Sequence, residues 1–64
     1  MYPAYQCLKT VDRTVYCSRN MVNSHTEGSA WVGRVIQQYG IQANDILGRP
    51  YTSNNQPRGA IIVD

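Results

Sequence analysis

One stretch near the middle of the chain contains a complete helix signal, with a start, an apolar face and a stop. Ser24 and Glu27 form the Ser-x-x-Glu pattern of a capping box, which marks a helix N-terminus. Gly40 is placed to end the helix in a left-handed cap, and Ile41 can fold back on the last turn. Between these signals the apolar residues recur at helical spacing, which predicts one amphipathic helix covering a core. These apolar residues are Gly28, Trp31, Val32, Val35, Ile36 and Tyr39.

Two strand-like segments precede this helix. Residues 5–11 and 14–18 are rich in β-branched and aromatic side chains and are separated by a polar pair, a pattern typical of a β-hairpin. A loop with an odd number of residues sorts apolar and polar side chains onto separate faces, whereas a two-residue loop mixes them. We therefore expect an odd loop with a bulge, and both Cys7 and Cys17 on the inner face of the hairpin.

The remainder of the chain divides into three parts. Residues 42–47 fit either a short strand or a helical turn, and the pattern does not decide between them. Residues 48–59 are rich in Gly, Pro, Ser and Asn, which predicts a loop. A loop of this length is a candidate contact surface. The unbroken apolar run from Ala60 to Val63 predicts a strand that is central in its sheet or buried on both faces.

These elements predict one small domain over residues 1–64. The fold class is α+β, of ββαβ type, with an antiparallel or mixed sheet covered by one helix. The longest apolar run, Ala60 to Val63, is far shorter than the roughly 20 residues of a membrane helix, so no membrane span is expected. The N-terminal residues have neither the basic start nor the apolar segment of a secretory signal. We therefore expect a cytoplasmic protein.

The charged and aromatic residues are of unusual types. Five of the six basic residues are Arg, and the aromatic residues are five Tyr and one Trp with no Phe. Arg, Tyr and Trp are the side chains that most often anchor protein interfaces. The same composition also suits a small protein with Tyr at the edges of its core and Arg keeping it in solution. A net charge of +2 without a basic cluster is weak support for nucleic-acid binding, and four acidic residues are too few for DNA mimicry.

The residues with the most versatile chemistry are Cys7, Cys17 and His25. The two cysteines could form a disulfide, hold a metal or remain as buried thiols, and a reducing compartment favours buried thiols. Their spacing with His25 matches no zinc-binding pattern, so no metal or other cofactor is expected. His25 falls in the first helical turn, a position that a helix start explains better than a catalytic base does. Without a catalytic motif, we expect no enzymatic activity; a thiol enzyme using His25 is the third class of hypothesis.

The candidate binding residues lie mainly in the predicted loop 48–59. Guanidinium and phenol groups there could hold phosphates and stack on a base, or dock against an acidic protein groove. A solvated loop without a specific contact is the alternative. Two arginines of the hairpin add a second basic area, and Asp12, which lies between basic residues there, reduces its positive charge. The predicted binding residues are Arg49, Tyr51, Asn54, Asn55, Arg58, Arg13 and Arg19.

By its size and its lack of catalytic motifs, the chain resembles the small accessory proteins of phages and plasmids that occupy a host protein's surface. Inhibitors of CRISPR surveillance complexes are among them. The resemblance is one of kind and rests on no residue, and the modest positive charge implies direct blockade of a protein. Our leading hypothesis is a non-enzymatic inhibitor or adaptor that binds a partner protein. The alternative is a small nucleic-acid-binding module, and a homodimer is also open because so small a domain gains from burying more surface.

Overall fold

The computed structural model describes residues 3–64; Tyr2, one of the aromatic residues considered above, lies outside this range. Four strands form one mixed sheet in the order β3-β1-β2-β4. The pairs β1–β2 and β1–β3 are antiparallel, and the pair β2–β4 is parallel. The predicted α+β class, with one helix and a mixed sheet, is confirmed. The elements in chain order are β1 (Tyr5–Lys9), β2 (Val15–Ser18), α1 (His25–Tyr39), a 3-10 turn (Ala43–Asp45), β3 (Tyr51–Ser53) and β4 (Ile61–Val63).

The β1–β2 hairpin has the predicted odd loop. Thr10 N donates to Thr14 O at 2.9 Å, which leaves residues 11–13 as the loop. Arg13, the last of them, has a φ of 70°, the left-handed conformation expected of the bulge residue in a three-residue hairpin loop. The sequence prediction of an odd loop with a bulge is therefore confirmed.

The helix, however, packs on the hairpin face opposite to the one predicted. The core contains Leu8 of β1, together with Trp31 and Val35 of α1, and Tyr16 of β2 packs against it. The prediction that the cysteine face is the inner face is therefore wrong. The reason is volume: Leu8 and Tyr16 offer the helix more apolar surface than two cysteines do. The polar Ser18 on the same face is buried and hydrogen-bonded.

The helix begins, packs and ends as its sequence predicts. Ser24 Oγ accepts a hydrogen bond from Glu27 N at 3.1 Å, and the Glu27 carboxylate accepts one from Asn23 N at 3.2 Å. At the other end Gly40 has a φ of 66°, and Ile41 N donates to the carbonyl oxygen of the last helical turn. Since Ile41 is also buried, it folds back onto the core as expected.

Residues 48–59 are not a continuous loop, because β3 lies within them. Tyr51 of β3 pairs with Cys7, and Thr52 pairs with Gln6. The flanking Gly and Pro residues favour a loop, so the strand was not predicted. The strand forms because the edge of β1 supplies hydrogen-bond partners for its backbone, and this pairing is not visible in the local sequence. Residues 42–47, left open between strand and turn, contain the 3-10 turn Ala43–Asp45.

The final strand is at an edge of the sheet rather than at its centre. Within residues 3–64, β4 pairs only with β2, and Ile61 is 40% exposed while Val63 is buried. The prediction of a central or doubly buried strand is therefore wrong. Ile61 and Val63 both face the helix side of the sheet, since they pair with Tyr16 and Ser18, but of the two only Val63 reaches the core; Ile62 points to the other face.

Cys7 and Cys17 form a disulfide, so the expectation of reduced thiols is wrong. The odd loop places the two residues directly opposite each other, with Cα atoms 4.1 Å apart. This is the closely spaced, non-hydrogen-bonded kind of antiparallel pair. Both residues are fully buried although they lie on the face away from α1. The connection 54–60 has to cross β1 and β2 to reach β4, and it is tied to β2 where Gln56 Nε2 donates to Ser18 O at 2.6 Å.

Candidate binding groove

A groove of about 520 Å³ opens between the first half of α1 and the edge strand β3. One wall is formed by α1 at His25, Ser29 and Val32, and the other by residues 49–52. Gln6 of β1 lies at the base of the groove. The groove exists because α1 packs over β1 and β4: the core contains residues of those strands but none of β3. The space between α1 and β3 is therefore left open.

The groove has no acidic residue among its described lining residues. Arg49 is exposed and takes part in no ion pair within residues 3–64. Gln6 is only 6% exposed, and its Nε2 donates to Tyr51 O at 3.2 Å, which ties the base of the groove to β3. The groove therefore combines a fixed polar base with one available guanidinium, a combination suited to a carboxylate-bearing ligand.

The edge of β3 adds unpaired backbone groups beside the groove. Thr10 N donates to Thr14 O, so the even-numbered residues of β1 face β2 and the odd-numbered ones face β3. Tyr51 and Ser53 are paired with odd-numbered residues and direct their backbone groups toward β1. Thr52 consequently directs its N–H and C=O outward, where another strand can reach them.

Two of the predicted binding residues flank this edge from opposite faces. Arg49 lines the groove on the helix side. Tyr51 also lines the groove, and its pairing with Cys7 puts its side chain on the disulfide face, where the residue is 36% exposed. A strand added beside Thr52 would present alternate side chains to the two faces. It would therefore meet Arg49 on one face and Tyr51 on the other.

The other predicted binding residues lie elsewhere. Arg13 is in the β1–β2 loop at one end of the sheet. Arg19 follows β2 at the other end and pairs with the Asp64 carboxylate, both side chains being well exposed. Asn54, Asn55 and Arg58 are exposed in the connection between β3 and β4. The seven predicted residues therefore do not form one site.

Sequence reasoning missed the rest of the groove. Gln6, Ser29 and Thr52 meet only through the pairing of β3 with β1 and the placement of α1 over the sheet. The local signal that was available is the β propensity of Tyr51 and Thr52, which could have predicted a strand within the loop.

The cysteine chemistry considered from sequence takes a different form in the structure. Both sulfurs belong to the disulfide, so neither is a thiolate nucleophile or a metal ligand in this state. Within residues 3–64 there is no group of three or more His, Cys, Asp or Glu residues that could hold a metal ion. No helix in the same range has the length and apolarity needed to span a membrane.

A comparison with protein-family models, with curated proteins and with solved structures finds no match to this chain.

Proposed function

We propose that the protein is a small non-enzymatic binding protein, an inhibitor or adaptor, that holds an extended segment of a partner protein against β3. The observation that carries this proposal is the groove without acidic lining residues beside a free strand edge, with Arg49 in its wall. Arg49 and Tyr51 were predicted as interface residues from their chemistry alone, and both flank this edge.

The chemistry of the groove favours a segment that carries a carboxylate. The Arg49 guanidinium can donate two parallel hydrogen bonds to an Asp or Glu side chain of the partner. The outward N–H and C=O of Thr52 can pair with the segment's backbone, as in recognition by strand addition. Tyr51 supplies an aromatic surface for the side chains on the other face. Because Pro50 lacks an N–H, the ladder ends there, and we expect a short segment to be recognised.

A more specific form of this proposal is that the protein is a phage-encoded antagonist of a host defence system, such as an inhibitor of a CRISPR surveillance complex. It rests on the small size of the chain and on the resemblance of kind stated above. Action in the cytoplasm, which we predicted, requires the disulfide to persist in a reducing compartment. Both sulfurs are fully buried, which hinders attack by an external thiolate.

Capture of partners from a nuclease-treated bacterial lysate tests the proposal. Tagged wild-type protein, Arg49→Ala, Tyr51→Ala and Arg58→Ala are compared, and the captured proteins are identified by mass spectrometry. Arg58→Ala is the matched control, since it removes the same charge from an exposed position outside the groove. We expect a protein that is captured by the wild type and by Arg58→Ala but at least tenfold less by Arg49→Ala and Tyr51→Ala.

Two outcomes would contradict the proposal. Equal capture by all four proteins would show that the partner binds at a surface outside the groove. Loss of the captured proteins after nuclease treatment, together with binding that weakens steeply as the salt concentration rises, would favour the alternative of a nucleic-acid-binding module. Arg13 and Arg19 lie at opposite ends of the sheet, and Arg19 is already paired with Asp64, so these arginines give that alternative little support.

A further inference from the structure

The outer edge of β4 is the second edge of the sheet that no other described strand pairs with. Arg19 N donates to Val63 O at 3.0 Å, so Val63 directs its backbone groups toward β2. Alternation along the strand then places the groups of Ile61 toward β2 as well, and leaves the N–H and C=O of Ile62 pointing away from the sheet. The β4 edge therefore presents one unpaired donor and one unpaired acceptor at its centre.

This edge lacks the features by which proteins protect a free strand. Proline and charged side chains are the common protections. Pro50 and Arg49 directly precede β3, whereas the three residues of β4 are all aliphatic and the charged residue that follows them, Asp64, is paired with Arg19 of the same chain. Ile61 is also 40% exposed, although isoleucine is among the residues most often buried. The two edges therefore differ, and only the β4 edge is suited to pairing with another apolar strand.

We propose that a second copy of this chain pairs with the β4 edge, antiparallel and across a two-fold axis at Ile62. The two sheets then form one continuous sheet. This inference goes beyond the proposed binding function and does not depend on it. The groove stays open in such a dimer, because β3 lies at the opposite edge of the sheet.

The sequence around β4 is self-complementary in this arrangement. Ile62 faces Ile62 of the second copy, and Ala60 faces its Asp64. Ala60 N already donates to Pro57 O at 3.2 Å, so Ala60 contributes only its C=O to the interface. The pairing gives about four hydrogen bonds between the chains, two from the Ile62 pair and one from each Ala60 carbonyl.

The charges beside β4 and the exposed apolar surface of the strand are also compatible with this antiparallel register. The Asp64 carboxylate is paired with Arg19 of its own chain, and Ala60 opposite it is uncharged, so no like charges meet. Ile61 comes to lie beside Val63 of the second copy, which covers its exposed surface. A two-fold antiparallel contact closes on itself and uses both β4 edges, so it stops at a dimer.

Sedimentation equilibrium over a range of protein concentrations tests this inference. Ile62→Pro removes the outward N–H of β4, and the matched control Thr52→Pro removes the outward N–H of β3. Neither group has a partner in the sheet, so neither substitution removes an internal ladder bond. We expect the wild type and Thr52→Pro to pass from monomer to dimer mass as concentration rises, and Ile62→Pro to stay monomeric. A wild type that stays monomeric up to millimolar concentration, or an Ile62→Pro protein that still dimerises, would overturn the inference.

Amide hydrogen exchange in the wild type provides a second readout that depends on no substitution. Pairing protects the Ile62 N–H, so its exchange should slow at least tenfold between the monomeric and dimeric concentration ranges, while the Thr52 N–H should not change. An Ile62 exchange rate independent of concentration would also overturn the inference, even if Ile62→Pro failed to fold.

Discussion

The indole Nε1 of Trp31 donates a hydrogen bond to the carbonyl oxygen of Val63 at 3.1 Å, which links the middle of α1 to the last strand. The same oxygen accepts a hydrogen bond from Arg19 N at 3.0 Å, so one carbonyl joins the helix and both parallel strands. Trp31 is 1% exposed and is the largest fully buried side chain of the described residues. The core is therefore built around this residue.

Two substitutions of Trp31 distinguish the contribution of its hydrogen bond to stability from the contribution of its packing. Trp31→Phe removes the donor and part of the ring, but Val63 O keeps its bond from Arg19, so we expect a loss of about 1–2 kcal/mol in the free energy of unfolding. Trp31→Ala leaves a large cavity and should cost about 3–5 kcal/mol. Urea unfolding followed by circular dichroism measures both. Equal losses for the two variants would contradict a core organised by the aromatic ring.

The disulfide should account for much of the stability of so small a chain. It joins residues separated by 10 positions, and closing a loop of that length stabilises the folded state by about 2–3 kcal/mol. We expect the double substitution Cys7→Ala and Cys17→Ala to lower the free energy of unfolding by that amount. Unfolding is measured with and without reductant. When reductant is added to the unfolded chain, where both sulfurs are accessible, the wild type should lose this stability and the double variant should not change; equal free energies of unfolding for oxidised and reduced wild type would contradict a stabilising bridge.

Two glycines of the helix region should respond to alanine in opposite directions. Gly33 lies within α1, and an added Cβ there would meet no atom within 4 Å. Gly33→Ala should therefore stabilise the protein by up to about 1 kcal/mol. Gly40 has a φ of 66°, which costs a non-glycine residue roughly 1–2 kcal/mol, so Gly40→Ala should destabilise. Thermal unfolding of the two variants tests both signs, and a stabilising Gly40→Ala would contradict the left-handed cap.

The hairpin loop should show a specific acid sensitivity. Hydrogen bonds from the side chain of Thr10 and from Thr14 lower the pKa of Asp12 below its ordinary value of 3.8. The ionised carboxylate therefore stabilises the loop at pH values above the ordinary pKa, and this contribution is lost as the pH falls through the lowered value. Thr10→Val should raise the pKa of Asp12 toward 3.8. An NMR titration of the Asp12 carboxyl in both proteins measures the shift, and equal pKa values would contradict it.

The features that were predictable from sequence are those determined by neighbouring residues. The helix from Ser24 to Gly40 has its start, face and stop within one segment, and the odd hairpin loop follows from the alternation of side chains around Arg13. The alternation of side chains does not determine which face of the hairpin the helix covers. The predicted face, that of Cys7, was the wrong one, and the helix packs on the face of Leu8. A reducing compartment favours free thiols, which led to the wrong prediction for Cys7 and Cys17, whereas the hairpin register places the two cysteines opposite each other.

The groove was only partly predictable for a related reason. Arg49 and Tyr51 were identified by residue type, which needs no knowledge of the fold. Gln6 and Ser29 are brought to them by long-range pairing and by the packing of α1, which no local pattern contains. Strand β3 itself is three residues long and depends on the edge of β1, so its existence is a property of the assembled sheet.

Photo-crosslinking from the wall of the groove tests the central claim most directly. The photoreactive amino acid benzoylphenylalanine is introduced at Ser29, which is exposed at the groove, and in a control at Gln38, exposed about 180° around the same helix. Both proteins are irradiated in the presence of the captured partner. We predict that the partner is crosslinked through position 29 and not through position 38, and that Arg49→Ala removes the crosslink. Crosslinking through position 38 alone, or crosslinking at position 29 that is unaffected by Arg49→Ala, would contradict binding in the groove.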